Sequence, residues 1–70
     1  MADIAPVLDN IRAELTRRRV TQQAAAEALG ISQPAFSARM SGRTPLDVSE
    51  LLVIAELLDT APAQLLDGAA

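Results

Sequence analysis

Residues 21–42, TQQAAAEALGISQPAFSARMSG, leave this chain the fewest ways to fold. Their punctuation predicts two short helices joined by one sharp turn. Thr21 and Ser32 suit N-caps, because a side-chain oxygen there accepts a hydrogen bond from an otherwise unpaired N–H. Gly30 and Gly42 suit the residue just past a helix, where glycine enters the left-handed region without steric penalty. Residue size is ordered between these marks. Ala25 and Leu29 lie four apart on one face of the first helix, and Phe36 and Met40 do the same on the second. Ala26 is small where two steeply crossing helices need a small side chain, and Ile31 follows the glycine to plug the corner.

The flanks supply more helices. A first helix is expected over residues 3–18, beginning at Asp3, with Pro6 in its first turn where a missing N–H costs little. Val7, Leu8, Ile11 and Leu15 form its buried stripe. Asp9 lies near its positive end and Arg17, Arg18 and Arg19 crowd its negative end, so both sets suit the helix dipole. Val20 then turns inward. After residue 42, Pro45 prevents the second motif helix from continuing. Asp47 or Thr44 caps the next helix, over residues 48–58, whose core face is Val48, Leu51, Ile54, Ala55 and Leu58. Pro62 starts a last short helix over residues 63–66. Short connections and the absence of any strand pattern make the chain all-α, a single domain over residues 1–70 with one small core.

Composition removes most chemistry. The chain has no Cys and no His, so disulfides, thiolate metal sites and the commonest general base are absent. Lys and Tyr are absent too, and the scattered carboxylates form no pair spaced for acid–base work, so an enzyme is not expected. No metal and no cofactor is implied. Residues 1–20 lack a basic segment followed by an apolar run, and no apolar run approaches a membrane span, which makes a cytoplasmic protein the default. Phe36 is the single aromatic and belongs to the core, which argues against single-strand binding by stacking. The net charge is −3, yet all six arginines fall within residues 10–43, beside only Glu14 and Glu27. The remaining residues carry seven acids and no base. DNA feels the local field of a docking face, so this asymmetry matters more than the total.

Gln22 opening the first motif helix, Ala26, Gly30, Ile31, and Phe36 in the second resemble the helix-turn-helix of phage Cro and repressor proteins and of the wider Xre-like regulators. The resemblance covers residues 8–66, where LLVIAELL is similar to the family's fourth helix and the short apolar segment after it to the fifth. It implies a compact five-helix, lambda-repressor-like DNA-binding domain with the helix-turn-helix at its second and third helices. The later helix of the pair would enter the major groove N-terminus first. Two residues depart from the family pattern. Arg39 stands where relatives often carry an apolar residue, with Met40 supplying the buried group. Ala38 stands where relatives often carry a larger polar one, which leaves more of the readout to DNA shape.

With Phe36 and Met40 facing inward, Gln33, Pro34, Ser37, Ala38 and Ser41 face outward. Gln33 is the best candidate for base readout, since its amide donates and accepts together and matches the N6/N7 edge of adenine. Its bland alternative is a solvated glutamine. Pro34 and Ala38 offer apolar surface to thymine methyl groups, and Ser37 can bond a base or a phosphate. The expected phosphate set is Arg17, Arg18, Arg19, Arg39, Ser41, Arg43 and Thr44, joined by Gln22, which the resemblance places on the DNA backbone. The arginine triplet can equally be read as a C-terminal cap and solubilising run. Leu52, Val53 and Leu57, with Leu65 and Leu66, either bury against a symmetry mate or complete the core. The functional expectation is a sequence-specific double-stranded DNA-binding regulator, a Cro/Xre-like repressor acting as a homodimer on a palindromic operator without a small-molecule ligand. The alternative is a helical protein-interaction module, adaptor or antitoxin-like, of the same fold with weak or no DNA binding, which overall acidity and Ala38 favour.

Overall fold

The computed structural model describes residues 4–68, which form five α-helices and no strand. They are α1 (Ala5–Arg17), α2 (Gln22–Leu29), α3 (Gln33–Met40), α4 (Val48–Leu57) and α5 (Pro62–Leu65). The expected start at Asp3 lies outside the described residues; α1 opens at Ala5 with Pro6 in its first turn. The N-caps of α2, α3 and α4 follow the chemistry of their residues. The Thr21 hydroxyl accepts from the Ala24 N–H at 3.0 Å and the Ser32 hydroxyl from the Ala35 N–H at 3.2 Å. Asp47, not Thr44, caps α4. Its carboxylate accepts from the Glu50 N–H at 2.8 Å, while the Glu50 carboxylate accepts from the Asp47 N–H at 3.1 Å. This reciprocal pair satisfies two otherwise orphaned donors at once.

The first four helices end in one way. After each, the chain takes a single left-handed residue, and the next N–H reaches back across the last turn: Val20 to Leu15 O, Ile31 to Ala26 O, Arg43 to Ala38 O and Thr60 to Ala55 O. Gly30 and Gly42 hold two of these positions at φ 71° and 82°. Arg19 and Asp59 hold the others at φ 58° and 52°, where a side chain costs about 1 kcal/mol that glycine avoids.

One core gathers Val7, Leu8, Ile11 and Leu15 from α1, Ala25 and Ala26 from α2, and Phe36 and Met40 from α3. Leu51, Ile54, Ala55 and Leu58 join from the α4 segment, and Leu65 from α5. Val20, Leu29, Ile31 and Leu46 close it from the edges. The alanines let α2 pack across both α3 and α4, while α5 packs on α1 and α4. Asn10 fastens this last contact, its side-chain amide donating to Leu65 O at 3.0 Å and Asp67 O at 2.7 Å.

Two expectations about the apolar face fail, and the last helix ends one residue earlier than expected. Val48 is 71% exposed rather than in the core, because the buried arc of α4 centres on Ile54 and Leu58 and passes it by. Leu65 is fully buried, so it belongs to the core and not to a docking face. The last helix starts at Pro62 and ends at Leu65, which leaves Leu66 outside it and 45% exposed.

Candidate nucleic-acid interface

At 100° per residue, Phe36 and Met40 define the inner side of α3 and divide its remaining positions into two flanks. Gln33 and Ser37 leave by one flank, Ala35 and Arg39 by the other, and Pro34 and Ala38 lie between them on the outside. Gln33, Pro34 and Ser37 are exposed and Ala38 is partly buried, so the four residues expected to meet bases share one accessible surface. Ser41, past the end of the helix, donates to Ala38 O at 3.0 Å and accepts from Arg43 Nε at 3.2 Å. Gln22 is partly buried at the start of α2, where unpaired N–H groups would favour an anion.

The arginines are less uniform than their clustering implies. Arg17 grips Glu14 through Nε at 3.0 Å and Nη2 at 2.8 Å, and Arg18 adds a 3.3 Å contact to the same carboxylate. The Arg17 hydrogen bond, against desolvation and with help from Arg18, holds the Glu14 carboxyl below the usual glutamate range. Three groups there carry one net positive charge. Arg12 pairs with Asp9 at 3.0 Å and donates to Met40 O at 2.6 Å, capping the C-terminus of α3 from α1. Arg39 pairs with Glu50 at 2.9 Å, both side chains more than four-fifths buried. Arg19 and Arg43 have no ion pair among the described residues.

Arg39 is therefore a correction within the expected phosphate set. Its guanidinium faces α4 and its own helix, donating to Glu50 and to Ala35 O at 3.1 Å. Arg17 and Arg18 remain at the surface with their charge half spent on Glu14. Arg43 and the partly buried Thr44 follow α3 directly, and Arg19 lies in the loop leading into α2. Sequence reasoning did not single out Arg12 or Glu50 as parts of the site. Glu50 had a readable signal, since an acid three residues after Asp47 completes a capping box.

On α4, Leu52, Val53 and Leu57 are exposed as expected of a docking face, and Leu66 lies beyond α5. They do not form one stripe. Val48 and Leu52 make one ridge, Val53 and Leu57 another, and Ser49 and Glu56 run between them.

No described helix is long and apolar enough to cross a membrane. Among known sequences, a family described as a helix-turn-helix domain matches residues 11–67. No curated protein and no solved structure matches the chain significantly.

Proposed function

The chain belongs to the helix-turn-helix domain family, and on that footing we propose that it is a Cro/Xre-like repressor that reads double-stranded DNA with α3 in the major groove. One observation carries this reading: α3 is capped at both ends and presents Gln33, Pro34 and Ser37 on one open surface. The guanidiniums of Arg19 and Arg43, which form no ion pair among the described residues, stand in the loops before α2 and after α3, a distribution suited to two phosphate strands flanking a groove. Gln33 reads adenine through its amide, Ser37 bonds a base or phosphate, and Pro34 and Ala38 meet thymine methyls. Gln22, Ser41 and Thr44 contribute neutral backbone contacts; Arg17 and Arg18 contribute through their one residual charge. The protein acts in the cytoplasm by occupancy, with no catalytic step.

A single short helix covers few base pairs, so specificity calls for a two-fold dimer on a palindromic operator. Leu52, Val53, Leu57 and Leu66 are the residues proposed to bury in it. Selection from random duplex DNA followed by footprinting at two salt concentrations tests both parts. A palindromic consensus is expected, and Gln33→Ala should relax preference at one base pair by about 1–3 kcal/mol. Enrichment of no sequence would refute the reading. The pairing of four arginines with three carboxylates favours the alternative of a protein-interaction module, which a DNA affinity insensitive to salt would select.

A further inference from the structure

α3 is eight residues long and buries only Phe36 and Met40, which lie along one line of its surface. Two side chains on one line fix where a helix sits but resist roll about that line weakly. Its main packing partner is α2. Two polar tethers supply the missing restraint. Arg12 pins the C-terminal carbonyl of Met40 from α1. Arg39 leaves by the flank opposite Gln33 and Ser37 and donates from Nε to both Glu50 oxygens, at 2.9 and 3.1 Å. It also clasps Ala35 O one turn back in its own helix. Glu50 is itself immobilised by the capping box with Asp47, so the tether ends on the rigid start of α4 rather than on a loose side chain.

We propose that Arg39 and Glu50 are positioning residues that set the roll of α3 and thereby determine base discrimination by Gln33 and Ser37, Arg39 itself making no contact with DNA. The proposal rests on α3 being the reading helix. With the side chains of Arg39 and Glu50 only 18% and 16% exposed, a phosphate could recruit Arg39 only by breaking a paired, largely desolvated contact. Loss of either partner leaves Gln33 and Ser37 chemically unchanged but lets the surface that carries them turn.

The test compares wild type, Arg39→Met and Glu50→Gln on the duplex enriched by selection and on an unrelated duplex, across a salt series. Glu50→Gln keeps a carbonyl acceptor for the Asp47 N–H, so the α4 cap survives. Both variants should lose about 10–100-fold in affinity for the enriched duplex, the size of one misread base pair. Affinity for the unrelated duplex and the salt slope should stay unchanged, and Arg39→Lys should recover part of the discrimination. A phosphate role predicts opposite signs. Arg39→Met would then shrink the salt slope by about one, and Glu50→Gln, by freeing a cation, would tighten binding to both duplexes. Either result overturns the proposal, as does unaltered discrimination in Glu50→Gln with a native helical signal. Failure of wild type to enrich any duplex would instead sink the underlying reading.

Discussion

The salt dependence of DNA binding follows from how the arginines are spent. Arg12 and Arg39 are each matched by a carboxylate, and Arg17 and Arg18 share Glu14. Arg19 and Arg43 are whole. Each chain thus carries three effective positive charges rather than six. Counterion release would convert them into a slope of about −3 per chain for log binding constant against log salt, where six independent arginines would give about −5. Fluorescence anisotropy with a labelled duplex over a potassium chloride series measures the slope directly. Arg43→Ala and Arg19→Ala should each lower its magnitude by about 1 per chain. Arg12→Ala combined with Asp9→Ala should leave it unchanged, because the pair carries no net charge. A wild-type slope near the six-arginine value, or a slope in the Arg12→Ala/Asp9→Ala variant reduced as much as that of Arg43→Ala, would refute the reasoning. DNA would then be pulling the arginines away from their intrachain partners.

Leu65→Ala should cost about 2–5 kcal/mol by opening a cavity in the core, whereas Leu66→Ser, one residue on, should barely move the thermal midpoint; equal effects would undo the burial argument. Val53→Ser combined with Leu57→Ser should leave the midpoint near wild type yet weaken cooperative DNA binding, and unchanged cooperativity would remove that interface. Asp59→Gly relieves a left-handed residue and should stabilise by about 1 kcal/mol, read as a rise of several degrees in a thermal melt. The Asp47 carboxyl is held below the usual aspartate range mainly by the Glu50 backbone N–H, then by the Ser49 hydroxyl. A depressed folded-state pKa contributes stability that is present above about pH 4 and lost as pH falls through the lower folded value. Asp47→Asn should therefore flatten the acid limb of a stability-versus-pH curve, and an unchanged limb would discount the cap.

Local features carried most of the fold into view before any coordinates. Thr21, Ser32, Gly30 and Gly42 punctuate their helices by chemistry that acts over four residues, and the structure keeps each of them in the expected role. What escaped depends on distance or on ambiguity. Arg39 looked like a phosphate ligand because its partner, Glu50, lies eleven positions away and spacing cannot reveal the ion pair. Val48 looked buried because α4 is apolar on both flanks, so a wheel with Val48, Leu52, Val53 and Leu57 does not disclose where the core lies. Leu65 and Leu66 were indistinguishable because four residues of helix contain no readable period. The outward set on α3 was legible for the opposite reason: Phe36 and Met40 alone fix its inner side.

The clasp of Asn10 on the carbonyls of Leu65 and Asp67 spans 55 and 57 positions of chain. Closing so long a loop is entropically slow, whereas the α2–α3 pair meets through neighbours in sequence. The bihelical head is therefore expected to dock before the tail is seated, an order that hydrogen exchange would report. The same asymmetry predicts the route of loosening: release of the Asn10 amide should expose Leu65 and the back of α1 before Phe36 is disturbed.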